Sequence, residues 1–141
     1  MSKHPDFVAT KCALFCEGEL IVIRRDNIVG IPWPDHWDFP GGGREGIESP
    51  WKCIQRETFE ELGIVLTLPD VHFTMAYQSP TLEGAQSWFF AAQISPERRD
   101  NNIFGNEGQG WAQMSLDDYI SHHKAIPFLV KELERYLATS D

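Results

Sequence analysis

Arg56, Glu57, Glu60 and Glu61 crowd into one short run, RETFEE, near the middle of the chain. Glu57 stands four residues from Glu61 and three from Glu60. At roughly 100° of rotation per helical residue, all three carboxylates fall on one side of a helix. Like charges on one stripe repel, so an isolated helix of this sequence loses stability unless something compensates. A hard divalent cation with oxygen ligands is the natural compensator. The simpler reading of a bare ExxEE is a solvated acidic face. Here Gly42, Glu48, Arg56 and Gly63 stand at fixed spacings around it, which argues for chemistry instead.

The stretch from Gly42 to Ile64, GGREGIESPWKCIQRETFEELGI, resembles the signature of the Nudix hydrolases, GX5EX7REUXEEXGU with U aliphatic. Gly42, Glu48, Arg56, Glu57, Glu60, Glu61, Gly63 and Ile64 match in order. Thr58 departs at the first U position; its hydroxyl predicts slightly poorer packing of that helix face. The resemblance extends from about residue 7 to residue 137 and is closest to MutT-type members. It takes in the paired Arg24 and Arg25, the DFPGGG run, an EGQ segment at Glu107 and the last helix.

The resemblance implies Mg²⁺-dependent hydrolysis of a nucleoside diphosphate linked to another group, with Mn²⁺ as an alternative metal. A phosphoanhydride carries several anionic oxygens. Water attacking its phosphorus needs that charge neutralised and its own pKa lowered, which bound metal supplies. Glu57, Glu60 and Glu61 are the expected metal ligands, joined by the Gly42 carbonyl and by Glu107 reaching in from its loop. Crowded carboxylates raise one another's pKa until a cation arrives, so one of them also serves as base. Glu57 is the first choice and Glu107 the second. The family pattern further implies that Arg56 pairs with Glu48 in a structural role and that Arg25 meets phosphate, with Arg44 as a further phosphate contact. It places Asp38 and Phe39 at the base, Asp38 accepting from ring N–H groups and Phe39 stacking.

Several elements must hold these groups. Ser49 is the expected N-cap, Pro50 fits the first helical turn and Gly63 fits the position just past the end. Trp51, Ile54, Thr58 and Leu62 form the inward stripe beside the carboxylates. Strands are expected at residues 7–16 and 20–25, with a short one at Trp37–Phe39 running into a glycine turn. One or two strands are expected between Ile64 and Tyr77, then a hairpin turn at Pro80–Gly84 and a buried strand at 87–94. Trp88 and Phe90 alternate with Phe89 there, one side core and the other a candidate pocket wall. A polar loop at 96–106, a strand at 110–114, a short helix from Ser115 and an amphipathic helix at 126–137 complete the pattern. It reads as one α/β domain spanning 1–141, a mixed sheet in an α/β/α sandwich, the Nudix fold.

Composition narrows the partners. A net charge of −9 argues against a protein that coats nucleic acid. It leaves a small nucleotide open as substrate, because metal and local arginines reverse the sign inside a pocket. No apolar run spans a bilayer and the opening MSKHPDF does not resemble a signal peptide, so a cytoplasmic protein without membrane contact is expected. Cys12, Cys16 and Cys53 read as reduced, buried thiols without zinc. His36, His122 and His123 read as ordinary polar residues. Assembly is open between monomer and homodimer.

The resemblance favours a nucleoside triphosphate pyrophosphohydrolase, including the class that removes oxidised nucleotides such as 8-oxo-dGTP. Members specific for 8-oxoguanine carry an Asn two residues before the last helix's proline. Ala125 stands there, ahead of Pro127, so other purine or pyrimidine triphosphates are equally expected. Pro80 keeps an ADP-ribose or nucleotide-sugar pyrophosphatase in view. A non-catalytic nucleotide-sensing module is the reading from another class, and the intact signature glutamates argue against it.

Overall fold

The computed structural model describes residues 7–139. Among these, seven strands form one mixed sheet: β1 (Phe7–Cys16), β2 (Glu19–Arg24), β3 (Trp37–Asp38), β4 (Gly41–Gly43), β5 (Val71–Gln78), β6 (Gln86–Gln93) and β7 (Gly110–Met114). The order β3-β2-β1-β6-β5 is antiparallel except at the β1–β6 junction, which is parallel. β4 pairs with the first half of β1, and β7 runs beside β2.

Alternation along β1 sorts the core into two layers. Cys12, Leu14 and Cys16 face α1 (Pro50–Leu62), where Ile54 and Leu62 meet them. Ala13 and Phe15 face the other way, toward α3 (Leu116–Ser121) and α4 (Pro127–Ala138), packing with Tyr119, Leu129 and Leu133. The result is the α/β/α layering that the pattern of elements predicts. All three cysteines are buried free thiols.

Local chemistry fixes α1. The Ser49 hydroxyl accepts a hydrogen bond from the Lys52 amide at 3.2 Å. Gly63 ends the helix in the left-handed region at φ 68°, where its amide reaches the Phe59 carbonyl at 2.8 Å. Thr58 is fully buried, and its hydroxyl has no hydrogen-bond partner.

Three expectations need correction. Residues 96–106 are not all loop, because Pro96–Asp100 forms a short helix, α2. Ser95 caps it by accepting from the Arg98 amide, a start signal of the same kind as Ser49-Pro50. The glycine turn is instead the strand β4, paired with Ala9–Lys11. Between Ile64 and Tyr77 one strand forms, within the expected one or two; it starts at Val71, after a 3₁₀ turn at Leu68–Asp70. The second strand stops at Arg24, so Arg25 opens the following loop.

Thr58→Val removes an orphaned buried hydroxyl while keeping the branched shape. The expected outcome is a gain of about 1 kcal/mol in unfolding free energy, read by denaturant titration.

Candidate active site

β4 brings the glycines and α1 together. Gly41 takes φ 141°, and a methyl group there would come within 2.1 Å of the Thr10 carbonyl oxygen, so only glycine passes this close to β1. The Gly41 amide donates to Glu61 Oε1 at 2.8 Å. A side chain at Gly42 would meet Glu57 Oε2 at 2.4 Å. Glu57 and Glu61 therefore lie against bare backbone on one side of α1.

Burial dominates both carboxyl groups. It pushes Glu61 up to about 8, opposed in part by Lys11 and the Gly41 amide. It raises Glu57 as well, opposed by Arg56. Glu60 behaves differently. Its side chain is 55% exposed and bonds to the Arg56 guanidinium at 3.1 Å. The expectation of three converging carboxylates is corrected on this point, since Glu60 turns outward to a cation that the helix itself supplies. Among the described residues no group of three His, Cys, Asp or Glu side chains closes around a metal-sized point.

Arg56 is the clamp of this region. It grips Glu48 through Nε at 2.6 Å and Nη2 at 3.1 Å, and it also donates to the Gly43 carbonyl. This pairing holds Glu48 below the usual carboxylate range. Cys53 lies beside β4, its thiol 3.7 Å from the carbonyl oxygens of Gly42 and Gly43.

Glu61 opens onto a cleft of about 270 Å³. Arg25, Asp26, Asp38 and Glu107 share its walls with Ile28 and Ile31. Glu107 arrives because its loop is strapped across the end of α1: the Ile103 amide donates to Leu62 O at 2.7 Å and the Gly105 amide to Glu61 O at 2.9 Å. Asp26 accepts from the Gly108 amide, tying the loop to the far wall.

Two further expectations are corrected, those for Phe39 and Arg44. Phe39 is 1% exposed and packs against Tyr119 and Phe89, so it has no free face on which to stack a base. Asp38 lines both the cleft and the recess beside it; it is buried, and its oxygens accept from Lys11 at 2.9 Å, Arg25 at 3.0 Å and the Phe39 amide at 2.8 Å. Arg44 lies over the Phe7 ring at 4.5 Å and donates to the Glu48 carbonyl, so it does not line the cleft. Arg24 pairs with Asp35, while its neighbour Arg25 faces the cleft.

Lys11 is the group that sequence reasoning missed. It lies 13% exposed beside Asp38, at the end of an otherwise apolar sheet face. A single Lys inside FVATKCALFC was the available signal. A second, apolar recess of about 160 Å³ adjoins the cleft and shares Arg25 and Asp38 with it. Lys11, Tyr77, Ser87, Trp33, Ile126 and Phe128 are among its walls.

The donors suit a hard divalent ion. They are all oxygens, Glu57 and Glu61 are held up by burial, and the missing side chain at Gly42 leaves the space beside them open. Among the described residues no ion pair neutralises Glu61, so an arriving cation would find an uncompensated acid there.

A raised carboxyl pKa means that the folded protein binds this proton more tightly than the unfolded chain does. Its contribution to stability is therefore lost as pH climbs from about 4.5 through about 8. In chelator, Glu61→Gln is expected to gain melting temperature over the parent by several degrees at pH 9 and by little at pH 5. Calorimetric melts across that range check this.

The chain matches the family model described as NUDIX domain over residues 7–136. It is 34% identical over 61 residues to an 8-oxo-dGTP diphosphatase of Proteus vulgaris, a match covering 43% of this chain and 54% of that one, so it spans about half of that relative's length. Among solved structures, the MutT protein of Methanosarcina mazei Go1 superposes with a TM-score of 0.77 at 19% identity, over 100% of this chain and 99% of that one. An Ap4A hydrolase of C. elegans superposes at 0.69 with 19% identity, over 93% and 96%. At such identities the two structures speak for the fold alone.

Proposed function

The chain belongs to the NUDIX family, and from that premise we propose that it hydrolyses a phosphate–phosphate link in a small nucleotide, converting a nucleoside triphosphate and water to a nucleoside monophosphate and pyrophosphate. The observation that carries this reading is the pairing of two adjoining spaces. One is a cleft walled by Glu61, Glu107 and Arg25; the other is an apolar recess, and Arg25 and Asp38 stand at the threshold between them. A nucleotide has the same two-part character, an anionic chain joined to a flat, largely apolar ring.

In this reading the phosphates occupy the cleft. Glu57, Glu61 and the Gly42 carbonyl would hold Mg²⁺, with Mn²⁺ as the substitute, and Glu60 would join them only by leaving Arg56. Bound metal would supply charge neutralisation at phosphate and a more acidic water. Arg25 balances charge on the phosphate nearest the threshold. Glu107, exposed on the cleft wall, takes the proton released when water adds to phosphorus. Glu57 fits that role less well, since it rests against Gly42 and Arg56 and does not line the cleft. The role of the Proteus relative, as its name gives it, supports a nucleoside triphosphate as the substrate.

A panel of nucleoside triphosphates, ADP-ribose and nucleotide sugars with Mg²⁺ tests the proposal through release of pyrophosphate or monophosphate. Turnover of triphosphates to monophosphate is expected. Turnover confined to ADP-ribose or nucleotide sugars would move the assignment to that substrate class, and tight binding without turnover would make the protein a sensor. Glu61→Gln is expected to lower kcat by about a hundredfold or more with an unchanged circular dichroism spectrum. An active Glu61→Gln enzyme would remove Glu61 from the metal site.

A further inference from the structure

We propose that Lys11 and Ser87 are specificity-determining residues that donate hydrogen bonds to oxo groups of the substrate's base, selecting oxo bases over amino bases. This rests on the nucleotide reading above and assigns the base end of the same site.

The recess is apolar around its rim and polar on its floor. Tyr77 and Phe128 stack at 6.2 Å and 23°, and Trp33, Pro80 and Ile126 complete the apolar lining. A flat ring gains contact area against such walls. The floor comes from the sheet. Ser87 pairs with Ala9 across the β1–β6 junction, and Lys11 follows two residues later on the same face. Continuing that face, Ala13 and Phe15 enter the core, so Lys11 marks where the core stops and the recess begins.

Both floor groups have unspent hydrogen-bonding capacity. An ammonium carries three donors. Lys11 directs one to Asp38 at 2.9 Å and has a long contact to the Phe39 carbonyl at 3.5 Å. Ser87 is 1% exposed, and its hydroxyl has no partner. The Tyr77 hydroxyl is a polar neighbour: Ser87 interacts with it weakly enough to lower its pKa only in part against burial, and the contact does not reach full hydrogen-bond geometry. A buried hydroxyl without a partner costs stability, and Ser87 is among the residues that line the recess, where a ligand acceptor would supply that partner. Asp38 is left with less to offer N–H groups, because three donors already occupy it and one acceptor position remains on Oδ1.

Two donors on the floor call for acceptors on the ligand. Uracil and thymine present carbonyl oxygens, and guanine presents O6 beside N7. Cytosine and adenine place an amino group at the corresponding exocyclic position, which sets donor against donor. A site built to hydrogen-bond one group rejects a ligand that lacks it, because its own buried polar groups are then left unpaired.

The test compares kcat/KM for UTP, dTTP and GTP with that for CTP and ATP in the full chain. A preference of roughly tenfold or more for the oxo bases is expected. Lys11→Met is expected to collapse that preference, and Lys11→Arg to restore part of it. Ser87→Ala separates recognition from folding. A merely structural Ser87 would give a variant at least as stable as the parent with unchanged base preference. The proposal expects equal or higher stability together with a smaller ratio of UTP to CTP turnover. Calorimetric binding of UMP and CMP without metal gives a readout independent of catalysis, with the same ranking expected in the parent and lost in both Lys11→Met and Ser87→Ala. If triphosphates are turned over but the parent shows no oxo preference, or Lys11→Met retains it, the assignment of Lys11 and Ser87 falls while the hydrolase reading stands. If no triphosphate is turned over and neither monophosphate binds, the reading beneath it falls as well.

Discussion

A carboxyl group held by a bare peptide is the constraint from which the site is built. Glu61 lies half-buried with one oxygen on the Gly41 amide, and desolvation pushes its pKa up to about 8. That contact exists only because β4 runs close beside β1, where a side chain at Gly41 would strike the Thr10 carbonyl. The glycines thus do more than turn the chain. They let backbone approach α1 closely enough to meet its acids, and they leave open the volume that a side chain would fill.

Charge around that contact is arranged in layers. Arg56 neutralises the outer acids, Glu45, Glu48 and Glu60, and reaches Glu57 at 3.3 Å. Lys11 and Arg25 are both committed to Asp38. Glu61 is left between these systems without an ion pair among the described residues. A chain of net charge −9 therefore contains a local threshold of two cations around one acid, at the junction of cleft and recess. The fold keeps this pattern by anchoring each wall elsewhere. Asp35 gathers Arg24, Gln109 and Lys124, which joins the ends of three segments beside the cleft.

Much of the scaffold was legible because it obeys local rules. The α1 caps, the apolar stripe and the alternation in β1 and β6 each follow from short-range chemistry. Positions set by tertiary contact were not legible. Nothing local separates Glu60 from Glu57, yet Arg56 draws one outward and Gly42 lets the other in. Asp38 and Phe39 sit where a base contact was expected. One partner that holds Asp38, Lys11, lies 27 residues away in sequence, and the rings that enclose Phe39 come from β6 and α3. The short helix at Pro96–Asp100 was missed for a different reason. Its polar composition masked a Ser-Pro start of the same form as the one recognised before α1.

Proton release on metal binding tests the central claim most directly, because ligands must give up their protons to a cation. Mg²⁺ is titrated into the protein at pH 7 by calorimetry in two buffers of different ionisation enthalpy. The account predicts release of about one proton per ion bound in the parent and close to none in Glu61→Gln. Binding that releases no proton in the parent, or the same proton in the variant, would contradict the claim that Glu61, its pKa raised by desolvation, becomes the metal-facing carboxylate.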